Sequence, residues 1–149
     1  MCLPTVSVIN ACSLWPKVSN FVDHFKENDI QLSLITEVWG KGSKFKKNKI
    51  KELLEMKGID FIYDTRKDKC GGGTAIAVCA NLFSISRFNL KIPIGLELTV
   101  ALIRSKSVNL MSRPIIAFSI YSSPRSKYKE DLLNFLRRQI SKIKSNFLS

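Results

Sequence analysis

The 149-residue sequence has one histidine, His24, and four cysteines, Cys2, Cys12, Cys70 and Cys79, with no C-x-x-C pair among them. A zinc knuckle and a dithiol redox pair are therefore not suggested, and free thiols in a reducing compartment are the expectation. A lone histidine also leaves no Ser/Cys–His–Asp arrangement to assemble. No apolar run approaches the ~20 residues a membrane helix needs. Met1-Cys2-Leu3-Pro4 has neither the charged leader nor the apolar core of a signal peptide. The chain is expected to be intracellular, nuclear or cytoplasmic, with no membrane partner. Gly71-Gly72-Gly73 is not followed by G-K-[ST], so it is no Walker loop and reads as a turn or a close backbone approach. Repeats and linkers are absent as well, which leaves one layered unit.

Negative charge is scarce: 12 Asp and Glu face 24 Lys and Arg, for a net charge of +12. Such a balance favours a polyanionic partner, nucleic acid above all, although a basic surface kept for solubility has the same composition. At 45% hydrophobic residues, the length suffices for one core.

Residues 5–10 carry Val6, Val8 and Ile9 and read as a short strand ending at Asn10. Val18, Phe21, Val22 and Phe25 then recur at helical spacing. Residues 31–36 are nearly all apolar, as for a strand covered on both faces by crossover helices. Together these form a βαβ unit. Beyond Trp39, Lys41, Lys44, Lys46, Lys47, Lys49 and Lys51 crowd the approach to a helix with Ile50, Leu53 and Leu54 on one face, closed by Gly58. Strands are expected over 59–63, 74–78, 82–88, 96–104 and 114–121. A long final helix from about residue 126 sets Leu132, Leu136, Ile140, Ile143 and Phe147 on one face.

Ligands of open α/β sheets gather at the carboxyl ends of strands, where Asn10, Glu37 and Tyr121 fall. Magnesium requires only one or two protein carboxylates, because it keeps waters and borrows phosphate oxygens. Glu37 with Asn10 would make such a set. The plain alternative, Glu37 capping a loop and Asn10 making a turn, uses the same residues. For the lysines after Trp39, a solvated helix face and a nucleic-acid contact remain equally open.

Ile9-Asn10-Ala11-Cys12-Ser13-Leu14, Asn28-Asp29-Ile30-Gln31-Leu32 leading into Thr36-Glu37-Val38-Trp39, Gly71-Gly72-Gly73-Thr74-Ala75-Ile76 and Tyr121-Ser122-Ser123-Pro124 occur in this order over essentially the whole chain. The set resembles the endonuclease domain of non-LTR (LINE-type) retrotransposons, of the endonuclease/exonuclease/phosphatase superfamily. What the resemblance implies is a four-layer α/β sandwich, with a mixed sheet flanked by helices, that nicks DNA using Mg2+ or Mn2+. Glu37 would be the metal glutamate, Asn10 the asparagine beside metal and phosphate, and Tyr121 the tyrosine near the scissile phosphate. Lys41, Lys44, Lys46, Lys47, Arg66 and Arg125 would lie toward DNA. Cys12 stands where the family often has Arg, and Ser123 where it often has the first of two prolines.

The family's second half carries a Gly-Asp-Phe-Asn motif and a terminal Ser-Asp-His, and neither occurs here in a suitable place. Asp23-His24 lies on the first helix, and Gly58-Ile59-Asp60-Phe61-Ile62 has an inserted Ile and no Asn. The expectation is a partial domain with little nuclease activity by itself, prone to self-association through an uncovered sheet face. The rival expectations are a non-catalytic basic remnant that binds nucleic acid, and another branch of the superfamily, an apurinic-site endonuclease or a phosphatase.

Overall fold

The computed structural model describes residues 3–39, 46–65, 72–109, 111 and 113–147, and the side chains of Lys46 and Phe147 are outside that description. The chain divides into two compact units: Met1–Lys91 with Glu97–Tyr121, and Ile92–Leu96 with Ser122–Ser149.

The first unit holds strands β1 (Val6–Asn10), β2 (Leu32–Trp39), β3 (Ile59–Asp64), β4 (Gly72–Cys79), β5 (Phe83–Arg87), β6 (Glu97–Ser105) and β7 (Ile115–Tyr121). Helices α1 (Val18–Glu27) and α2 (Lys46–Met56) interrupt them, and a single 3-10 turn, Trp15–Lys17, precedes α1. One sheet has the order β1-β2-β4-β3 and the other β5-β6-β7. Among the described residues β1 and β2 run parallel, the signature of the expected βαβ unit, and the other strand pairs are antiparallel.

Two apolar layers follow from strand alternation. Ile35, Ile59, Phe61, Ala75 and Ala77 face Phe21, Val22 and Phe25 of α1 and Ile50 and Leu54 of α2. The opposite faces supply Leu32, Ile76 and Val78, which pack on Phe83, Ala101, Ile103 and Ala117 of the second sheet. This corrects one expectation. β2 is covered by helices on one face and by a sheet on the other, because an all-apolar strand records burial on both faces without recording what buries it. Helix, mixed sheet and antiparallel sheet make an α/β fold with successive layers, as expected for the sandwich.

Buried polar side chains tie the sheets together. Ser119 donates to the Ile35 carbonyl at 2.9 Å, Thr74 and Thr99 share a hydroxyl hydrogen bond of 2.8 Å, and Thr99 donates to the Thr74 carbonyl at 3.0 Å. Pairing these groups removes the penalty of roughly 1–3 kcal/mol that each would incur if buried alone.

In the second unit, α3 (Lys129–Phe147) is one long helix. It buries Leu132 and Phe135, whereas Ile140 is 45% exposed. The even apolar stripe inferred from spacing therefore shifts toward Phe135 in the first turns. Among the described residues no helix is long and apolar enough to cross a membrane.

Candidate active site at the strand ends

β1 pairs with β2 in register, Val6 against Leu32 through Asn10 against Thr36, so Asn10 and Glu37 arrive at the same edge. What then turns Glu37 outward is a β-bulge. Thr36 pairs with Thr74 and Trp39 with Gly72, so β2 has one more residue than β4 between the two pairs. Strict alternation would send Glu37 into the helix-covered core behind Ile35. Instead, buried Val38 and Trp39 both join that core, and Glu37 takes a left-handed φ of 52°. Such a conformation costs roughly 1–2 kcal/mol per non-glycine residue and clusters at functional sites.

The loop after β1 is built onto this bulge. Ala11 N–H donates to the Thr36 carbonyl at 2.9 Å, Ser13 N–H to Glu37 at 2.8 Å and Leu14 N–H to Val38 at 2.8 Å. Buried Ala11 and Leu14 anchor the loop, and between them Cys12 and Ser13 have φ of 44° and 80°. Lys17 Nζ donates to the Ala11 carbonyl at 2.7 Å and lies 3.5 Å from that of Cys12. Asn10 Oδ1 accepts from the Cys12 N–H at 3.1 Å. Cys12 Sγ is 3.3 Å from Asn10 Oδ1 and 3.4 Å from Glu37 Oε2. One thiol thus touches both sequence-predicted metal ligands. Asn10 and Cys12 are exposed and Glu37 is half-buried.

Tyr121 ends β7 on the same side of this unit. Ser119, two residues before Tyr121, is bonded to Ile35, two residues before Glu37. Across the sheet Tyr121 pairs with Glu97, whose Oε1 accepts the Gly73 N–H at 3.2 Å. Sequence reasoning missed Glu97: it starts a strand, and only antiparallel pairing brings that start beside the end of β7. Asp64, at the same edge, is held by Arg87 in a two-pronged pair at 2.6 and 2.7 Å.

Of the basic residues expected to lie toward DNA, the side chains of Lys47 and Arg125 fall within the described residues. Lys47 Nζ lies 5.3 Å from the Trp39 ring centroid, within cation–π range, and Lys49 lies 5.7 Å from that of Trp15. Trp39 is 3% exposed and packs in the core. Arg125 is exposed and belongs to the second unit. Lys41, Lys44, Arg66 and the Lys46 side chain lie outside the described residues. An open groove of about 610 Å³ is lined by Pro93, Ile94, Leu96, Asp131, Asn134, Arg137 and Arg138 of the second unit, and none of the predicted site residues contributes to it.

Glu37 and Asn10 present hard oxygen donors side by side, a set that fits a divalent cation which keeps most of its waters. Among the described residues no three His, Cys, Asp or Glu side chains gather as a fuller cage.

The two-sheet sandwich with a helix layer on its mixed sheet shares the endonuclease/exonuclease/phosphatase fold of solved structures. The chain is similar to the endonuclease domain of TRAS1, a telomere-specific non-LTR retrotransposon, with a TM-score of 0.61 at 16% identity, covering 97% of this chain and 56% of that one. It is also similar to the 3' phosphatase NExo from Neisseria bound to product DNA hairpin (TM-score 0.57, 18% identity, 93% and 53% covered). A third is ANGEL2, a 2',3'-cyclic phosphatase (TM-score 0.53, 18% identity, 77% and 39% covered). No protein-family model matches the chain, and no curated protein does. The chain spans roughly half the length, or less, of these solved proteins.

Proposed function

We propose that the chain is the amino-terminal part of a metal-dependent DNA endonuclease of retrotransposon type, inactive by itself. The observation that carries this reading is the convergence of Asn10 and Glu37 on one thiol at the ends of the parallel pair. A divalent cation held by Glu37 and Asn10 would offset phosphodiester charge and stabilise the leaving oxygen. Lys17 ties down the Asn10–Cys12 loop through the Ala11 carbonyl, and Tyr121, at the end of β7, would contact the phosphate. The groups that would orient the attacking water, in Gly-Asp-Phe-Asn, and contact the phosphate, in Ser-Asp-His, are absent from the sequence. Nicking of supercoiled plasmid tests the proposal: the chain should cleave no faster than Glu37→Ala. The phosphatase and apurinic-site branches remain the alternative, distinguished by release of phosphate or cleavage at abasic DNA.

The partial-domain reading draws on the open side of the sandwich. Val6 and Val8 share a face with Leu32 and Leu34, the face that packs on the second sheet. Even so, they are 48% and 76% exposed. Among the described residues β1 pairs only with β2, and β7 only with β6. In the isolated chain a second copy would cover this face. Sedimentation should reveal self-association that Val8→Lys reverses; a monomeric parent chain contradicts it.

A second reading, a nucleic-acid-binding remnant, is favoured by the aromatic seats of Lys47 and Lys49. Holding each ammonium over a ring lowers the entropy lost when it meets a phosphate. With about four phosphates neutralised, affinity for duplex DNA should fall about 100-fold between 50 and 200 mM salt. Replacing both lysines by Ala should flatten the salt slope by about two units. Salt-independent binding would count against this reading.

A further inference from the structure

We propose that the groove between the 92–96 turn and α3 binds a single strand of nucleic acid, with Arg137 and Arg138 on the phosphates and Asp131 and Asn134 on the base edges. The inference deepens the nucleic-acid reading: it adds a second surface and says which form of polyanion that surface takes.

The groove is built within the second unit. Leu96 N–H donates to the Pro93 carbonyl at 3.3 Å, which closes a tight turn, and Gly95 rests on Tyr128, where a Cβ would come within 2.6 Å of ring carbon Cε2. The turn thus holds one wall, Pro93 and Ile94, beside the helix that forms the other. Ile94 is 92% exposed. A lone exposed isoleucine is ordinary on a protein surface, but this one shares a groove with two arginines. On the helical wall, Asp131, Asn134 and Arg138 follow at i, i+3 and i+7 on one stripe, with Arg137 alongside. All four are exposed, and among the described residues none of their side chains is held in a hydrogen bond or ion pair.

Size and charge select the occupant. A groove of about 610 Å³ takes a nucleotide or two and not a duplex, since small-ligand sites measure roughly 300–1,000 Å³. A helix rise of about 1.5 Å per residue sets Asp131 and Arg138 about 10 Å apart along α3, comparable to the reach of a nucleotide from base edge to phosphate. The net charge of +12 attracts polyanions in general. Asp131 decides between them. A carboxylate in the groove repels an acidic peptide laid along it, yet it accepts hydrogen bonds from the exocyclic amino group of cytosine, while an Asn amide such as that of Asn134 pairs with adenine. The apolar wall offers the base face a dry surface, and the arginines take the backbone.

The test is fluorescence anisotropy of the whole chain with labelled oligonucleotides of about ten residues, within the usual span of a single-strand site. Oligo(dC) should bind more tightly than oligo(dT), because thymine has no amino group, and Asp131→Ala should remove that preference. Arg137→Ala with Arg138→Ala should weaken single-strand binding about 10-fold or more and flatten its salt slope by about 1.4, at about 0.7 per phosphate. Ile94→Ala should weaken it about fivefold, the lower end of what base stacking contributes. Far-UV circular dichroism checks that each variant is folded. Single-strand binding unmoved by the arginine pair overturns the proposal, as does a polyglutamate peptide that binds as tightly as the oligonucleotide and is lost in the same variant. Duplex binding that falls with Lys47→Ala and Lys49→Ala, beside single-strand binding that ignores the arginines, leaves the earlier nucleic-acid reading standing and this inference fallen. Single-strand binding that needs the arginines, without any duplex binding, does the reverse. No binding of either form fells both.

Discussion

Gly73→Ala is expected to remove about 2–5 kcal/mol of folding stability. A Cβ at residue 73 would meet Trp39 Cδ1 at 2.5 Å, the Asp64 carbonyl oxygen at 2.7 Å and Trp39 Nε1 at 2.9 Å, from a backbone with φ of +86°. Neither neighbour can yield cheaply. The Asp64 carbonyl is backbone, and the Trp39 ring is packed edge-on against Phe61 and Tyr63, with centroids 6.4 and 5.0 Å away. Left-handed strain adds about 1–2 kcal/mol and overpacking about 1–3. Against a total stability of about 5–15 kcal/mol this is a severe loss, visible as a Tm lowered by about 10 °C in circular dichroism. Gly58→Ala is the control: φ there is +78°, yet nothing lies within 4 Å, so strain alone, about 1–2 kcal/mol, should remain. Equal losses in the two variants would contradict the packing argument.

The same corner marks where the sequence was legible and where it was not. Apolar periodicity located α1 and the β1–α1–β2 unit, since Phe21, Val22 and Phe25 do face the sheet. Gly58 closes α2 with a left-handed φ, as its position suggested. Strand composition could not reveal that a second sheet, and not a helix layer, covers Leu32, Ile76 and Val78. Nor could it reveal the bulge, because one extra residue in β2 is a matter of pairing with β4 and leaves no mark on composition. Asn10 and Glu37 were legible as polar residues closing apolar strands. Cys12 was noticed only as a departure from a family pattern; its contact with both depends on left-handed φ angles at Cys12, Ser13 and Glu37. Glu97 was invisible because register alone brings it opposite Tyr121.

The second large effect concerns rate. A phosphodiester nick needs an oriented nucleophile as well as a cation, and general acid–base groups of this kind contribute about 10²–10⁴-fold each. Members of a catalytic unit act together, so losing several removes nearly the whole enhancement. The chain brings Glu37, Asn10 and Tyr121 to one edge while its sequence lacks both downstream motifs. Its nicking is expected to fall about 10⁴-fold or more below that of a complete site, into the uncatalysed background. Extending the polypeptide beyond Ser149 with a segment that carries Gly-Asp-Phe-Asn and Ser-Asp-His should restore cleavage, and Glu37→Ala should then abolish it.

The most direct measurement is conversion of supercoiled to open-circular plasmid by the 149-residue chain and its Glu37→Ala variant, side by side in magnesium and in manganese. Indistinguishable rates at the level of buffer are the predicted result; rapid nicking by the chain that Glu37→Ala abolishes would contradict the account.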